Sequence, residues 1–135
     1  MGGNPMEYSE AVLAHFRAPK NAGEFPAGTR GVLLGQAGTK KRGREIHLEL
    51  KLGADGRIEG CRYRIYGCPA TVALCSLLSE RLPGLLPAEA LTMSGLKLAA
   101  ELGLPPPKRD AALLLEDALR DALKGYNMTE SREAI

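Results

Sequence analysis

The sequence predicts an α+β domain, a three-stranded antiparallel sheet with helices packed on one face. Three observations carry that reading. Ile46, Leu48, Leu50 and Leu52 alternate with Glu45, His47, Glu49 and Lys51, the period of two of a strand with one buried and one wet face. Gly53-Ala54-Asp55-Gly56 turns that strand into a second alternating run, which makes a hairpin. Beyond it, apolar residues recur at helical spacing to the end of the chain.

The elements follow in order. Tyr8 to Arg17 is a helix with Val12, Leu13 and Phe16 on one side, Ser9 as its N-cap, and Pro19, Asn21 and Gly23 to stop it. Gly28 to Gly35 holds a short strand, Val32-Leu33-Leu34. In the second arm of the hairpin, Arg57 to Tyr66, residues Cys61, Tyr63 and Ile65 alternate with Arg62, Arg64 and Tyr66. The register changes at Gly67-Cys68-Pro69, since Pro is pre-organised for a first helical position. Leu74, Leu78 and Leu82 then repeat every fourth residue until Pro83-Gly84. Ser94 to Leu102 is a short helix ended by Gly103, and Pro105-Pro106-Pro107 forbids helix until Pro107 itself opens the last one. That helix carries Ala111, Leu115, Ala118, Ala122 and Tyr126 on one face. Glu116, Asp117, Arg120, Asp121 and Lys124 form the other face, with Gly125 near its end and a polar, frayed tail from Asn127 to Ile135.

A chain of 135 residues makes one domain, 1–135, without repeats or linkers. At this length folding buries roughly 68–70% of the unfolded surface, enough to stand without disulfides or a structural metal. Hydrophobic residues at 44% and charged residues at 25% exclude a disordered chain. The longest uncharged stretch, Ile65 to Ser79, has 15 residues, short of the roughly 20 a membrane span needs. The first residues lack the basic and apolar regions of a secretory signal, and three cysteines do not make a secreted disulfide framework. The expected location is the cytoplasm.

Net charge is +2, but Lys40, Lys41, Arg42 and Arg44 put four positives within five residues. With those set aside the chain holds 14 cations against 16 anions, so it carries one basic loop rather than a basic surface. Such a loop is either plainly solvated or an anion or partner site.

Cys61, Cys68 and Cys75 recur every seven residues. Seven helical residues rise roughly 10.5 Å, and the extended chain from Cys61 to Cys68 spans on the order of 20 Å. Thiolates sharing a metal need sulfurs within about 4.6 Å. The three therefore share neither a metal nor a bridge. Cys61 and Cys75 fall on apolar faces, as core residues do. Cys68 stands at a strand-to-helix junction, where free amides and the basic loop lower a thiol's pKa. His15 and His47 lie in no metal spacing, as expected of structural or exposed histidines. With 4% aromatics and no Trp, a base-stacking nucleic-acid platform is not expected.

Tyr8-Ser9-Glu10-x-Val12-x-x-His15-Phe16-x-x-Pro19-x-Asn21-x-Gly23 resembles the opening motif of the iron–sulfur cluster scaffold family, the IscU proteins and the N-terminal domain of NifU. Tyr66-Gly67-Cys68 is similar to its central motif. Leu104-Pro105-Pro106-Pro107-Lys108 resembles its Leu-Pro-Pro-Val-Lys segment, and Glu116-Asp117-Ala118 the Glu-Asp-Ala of its last helix. The match is collinear over a core of about 8–126.

The resemblance implies a [2Fe–2S] cluster or a zinc or iron ion held on three Cys with an Asp or His assisting. Here the Cys-Gly-Asp motif falls on Arg42-Gly43-Arg44, and the His-Cys pair on Asp110 and Ala111. Cys68 is the ligand cysteine left, with Asp110 as the one oxygen ligand beside it. Each like-charge contact at about 4 Å costs about 4 kcal/mol at an effective dielectric of 20, so no stable metal or cluster is expected on this chain alone. Arg42 and Arg44 are expected to pair with Asp110 beside Ala111 and to stabilise the Cys68 thiolate.

The resemblance further implies two partners and no catalytic activity. A cysteine desulfurase meets the N-terminal segment (Tyr8, His15, Phe16), and an Hsp70-type chaperone meets Leu104, Pro105, Pro106 and Lys108. Two functions remain open: a binding or regulatory module in cluster assembly, or a reactive-thiol carrier of persulfide through Cys68. Anion binding by the basic loop is a third reading.

Overall fold

The computed structural model describes residues 8–134, with side chains described through Lys124 except that of Pro107. Ser9 caps α1 (Glu10–Arg17) by accepting from the Val12 amide at 3.1 Å, which satisfies one of the four amides a helix start leaves free. The sheet is β1 (Val32–Thr39), β2 (Arg44–Leu52) and β3 (Ile58–Tyr66), antiparallel in that order. Four further helices follow: α2 (Pro69–Arg81), α3 (Pro87–Ala90), α4 (Gly95–Glu101) and α5 (Arg109–Ala134).

The α+β expectation holds. Ile46, Leu48, Leu50, Cys61 and Tyr63 face a helical layer that supplies Leu74, Cys75 and Leu78 from α2 and Ala111, Leu115, Ala118 and Ala122 from α5. Burying a Leu or Ile side chain fully contributes roughly 1.5–3 kcal/mol, so this shared face is what holds the layers together.

Several boundaries differ from the sequence expectation. The first strand does not stop after Leu34. It pairs with β2 through Thr39, because Gly35 lets α5 lie directly on the sheet: a Cβ there would sit 2.3 Å from the Ala118 carbonyl oxygen. Glu49 is not on a wet face. The segment after α1 crosses the outer side of the sheet, Gly23 donating to the Tyr63 carbonyl and Phe25 to Glu49 Oε1 at 2.9 Å, which buries the carboxylate. Phe16 lies 45% exposed rather than buried beside Val12.

Pro107 does not open the last helix. Lys108 has the first free amide after the prolines, and its bond to Pro105 closes a 3-10 turn (Pro106–Lys108) before α5 begins. The expected frayed tail is helical to Ala134, with Gly125 inside the helix. One interior Gly costs roughly 0.5–1 kcal/mol, too little to end a helix of this length. The Tyr126 side chain lies outside the described residues.

Candidate functional site

Cys68 is the N-cap of α2. Its backbone is extended (φ −89°, ψ 170°), its carbonyl accepts from Thr71 N at 3.0 Å, and Pro69 follows at the first helical position. The side chain therefore points back along the first turn rather than into the core, and the residue is half-buried. Its Sγ lies 3.5 Å from the hydroxyl of Thr71, which is fully buried. Burial pushes the thiol up. The Thr71 hydroxyl, the first-turn amides of Thr71 and Ala70 and the Lys108 ammonium outweigh it, and the pKa lies below the ordinary thiol value.

The other two cysteines are inert by the same chemistry. Burial pushes Cys61 up to about 12, partly offset by Arg62, and holds Cys75 well above the usual range. All three are free thiols.

Three separate segments meet at the Cys68 end. Lys40, Lys41 and Arg42 form a 3-10 turn between β1 and β2, closed by Gly43 in the left-handed region (φ 94°), where a side chain would be strained. Glu45, just past Arg44, pairs across the sheet with Tyr66, two residues before Cys68. Lys40 Nζ stands 6.0 Å from the Tyr66 ring centre. The foot of α5 completes the cluster, since Leu114 reaches Gly38 at the end of β1 and Lys108 acts on the thiol. Arg42 and Asp110 are exposed, Arg44 is half-buried and Ala111 is fully buried.

One expectation about these residues is corrected. Arg42 and Arg44 form no ion pair with Asp110 among the described residues. A cation acting on the Cys68 thiol is Lys108, which topology brings in from forty positions away. Among the described residues, no three Cys, His, Asp or Glu side chains converge as a ligand set.

The two segments expected to meet partners also come together. The Ser9 hydroxyl donates to the Leu102 carbonyl, and Lys108 Nζ lies 5.7 Å from the Tyr8 ring centre. Leu104 packs on the core, Pro105 is half-buried and Pro106 is exposed. His15 instead turns inward: its Nδ1 is 2.6 Å from Ser76 Oγ, which also accepts from the Lys20 amide at 2.8 Å. That makes His15 a clamp between α1 and α2, with Phe16 the exposed member of the pair. His47, half-buried, has Nε2 at 2.9 Å from Glu45 Oε2. Thr71 and Lys108 are the working residues sequence reasoning missed as neighbours of the thiol. Thr71, three positions beyond a helix-capping cysteine, was findable from spacing alone.

The NifU-like N-terminal domain model matches residues 7–133. The chain belongs to that family. It is 36% identical over 129 residues to the iron–sulfur cluster assembly scaffold protein IscU of Escherichia coli, covering 96% of this chain and 99% of that protein. It is 35% identical over 121 residues to IscU of Azotobacter vinelandii, covering 90% and 94%. The fold is also that of a candidate SUF-system scaffold from Fervidobacterium islandicum, at a TM-score of 0.68 and 18% identity over 90% of this chain and 99% of that one. No helix among the described residues is long and apolar enough to cross a membrane.

Proposed function

We propose that this chain works in iron–sulfur cluster assembly as a binding or regulatory module whose own metal site is degenerate. One observation carries the reading: the end of the fold where the family resemblance places the ligands offers a single thiol, Cys68, among cations. Arg42 and Arg44 stand where the resemblance expects a thiolate and a carboxylate, Ala111 offers no donor, and among the described residues exposed Asp110 belongs to no group of three metal-ligating side chains. Iron and sulfide carried as a cluster need several thiolates to offset their charge, and this donor set does not fit a cluster held by one chain. The segments implied for partners persist: Tyr8 and Phe16 at the N-terminus, and the Leu104–Lys108 loop, which docks against Tyr8. The partners of this reading are a cysteine desulfurase and an Hsp70-type chaperone, its location is the cytoplasm, and it involves no catalysis.

A second reading is favoured by the lowered pKa of Cys68. Its thiolate attacks the terminal sulfur of a donor persulfide, the donor S–S bond breaks, the donor leaves as a thiolate, and Cys68 becomes the persulfide. Size-exclusion co-elution with a purified cysteine desulfurase separates the two. The module reading expects a complex that survives Cys68→Ser and carries no labelled sulfur on this chain. Transfer of labelled sulfur from the desulfurase to Cys68 favours the carrier, no complex with the wild type overturns the module, and the module expects Phe16→Ala to weaken the complex.

A further inference from the structure

Six cations lie on the segments that meet at the Cys68 end of the molecule: Lys40, Lys41 and Arg42 on the turn, Arg44 at the start of β2, and Lys108 and Arg109 at the foot of α5. Among the described residues none of the six has a carboxylate within 4.0 Å; Lys51, Arg57, Arg64, Arg81 and Arg120 each do, and those elsewhere that do not, among them Arg17, Lys20, Arg30, Arg62 and Lys97, are scattered along the chain. The anions nearby do not neutralise them. Glu45 is engaged by His47, and Asp110 is exposed in the first turn of α5 with no ion pair among the described residues. Away from this end the balance reverses, with 12 cations against 14 anions in the rest of the chain once Glu45 and Asp110 are counted here.

Like charges held together repel, and a fold that leaves them unpaired loses stability unless an outside anion offsets them. We infer that this cationic end is the docking surface for an acidic segment of a partner protein. The inference rests on the module reading and names the chemistry of the partner. An acidic polypeptide fits better than a nucleic acid for two reasons. The rings at this end are two, Tyr66 and Tyr8, each with a lysine near one face at 6.0 Å and 5.7 Å, and they make no run of platforms on which successive bases could stack. The acidic remainder of the surface also limits the attractive footprint to this short patch, where a polyphosphate chain would run off it.

The test uses the intact chain, a fluorescein-labelled ten-residue peptide of alternating Glu and Ser, and a ten-nucleotide single-stranded DNA, read by fluorescence anisotropy. The peptide is expected to bind, and more weakly as salt rises from about 50 to about 150 mM. Lys40→Glu with Lys41→Glu and Arg42→Glu should weaken it roughly tenfold or more. Arg30→Glu with Lys97→Glu and Lys124→Glu, which makes the same change in net charge elsewhere, should leave it within about twofold. Lys41→Glu with Arg42→Glu, both solvent-facing, repeats the test without disturbing the Lys40–Tyr66 contact. Equal weakening by both triple variants, no peptide binding, or tighter binding of the DNA overturns the inference. A chain that co-elutes with the desulfurase but ignores the peptide loses this inference alone. One that binds the peptide but no assembly partner loses the module reading alone.

Discussion

Gly35→Ala isolates the contact that sets α5, and with it Lys108, against the sheet. Gly35 has no unusual backbone conformation, so the cost is steric. An added Cβ meets the Ala118 carbonyl oxygen at 2.3 Å, the Ala122 amide nitrogen at 2.6 Å and the Ala122 Cβ at 2.7 Å. Real Cβ contacts essentially never fall under 3.0 Å, so strand and helix must part by about 0.7 Å or more. Two of the three atoms are backbone and cannot swing aside. Overpacking of this kind costs about 1–3 kcal/mol, and backbone contacts place it at the upper end. For a domain of this size that lowers Tm by roughly 6–15 °C. Thermal unfolding followed by circular dichroism, with urea titration for the free energy, measures it. Gly43→Ala is the control: it has open space around it and a left-handed φ of 94°, so its cost is conformational, about 1–2 kcal/mol. Gly35→Ala within about 0.5 kcal/mol of wild type would refute the close approach of α5 to β1.

Two further outcomes follow from the cysteines. Iodoacetamide at neutral pH should alkylate Cys68 well ahead of Cys61 and Cys75, and Lys108→Gln should slow it more than Arg42→Ala with Arg44→Ala; equal rates at the three thiols would sink the assignment. Stability should also fall as pH rises above about 8.5, the unfolded thiol value, because the folded chain keeps Cys61 protonated up to about 12 and Cys75 protonated as well. The unfolded state then binds fewer protons than the folded one, and each thiol removes up to about 1.4 kcal/mol per pH unit. Urea midpoints at successive pH values, with Cys61→Ala and Cys75→Ala as the flattened reference, read the slope; a slope unchanged in the double variant contradicts the burial.

How much was legible in the sequence follows the range of each interaction. The β2–β3 hairpin was written in alternation, and Cys68 in Gly67-Cys68-Pro69, because strand period and helix capping are local. The burial of Glu49 was not legible: its partner is the amide of Phe25, on a loop whose path no pattern announces. The extension of β1 to Thr39 was hidden by Gly35 and Gly38, which weaken a strand signal and are present because α5 and β2 crowd them. The resemblance drew attention to the arginines of the basic loop, whereas Lys108 reaches the thiol from the foot of α5, and only the packed fold could supply it.

Cys68, one thiol among cations, is proposed to hold no cluster on a single chain. Anaerobic reconstitution of the purified chain with iron and sulfide, followed by desalting and by iron, sulfide and visible-absorption measurement, tests it directly. The account predicts a colourless protein with substoichiometric iron and sulfide, before and after Lys108→Gln. A stable brown species with one cluster per chain, lost in Cys68→Ser, would contradict it.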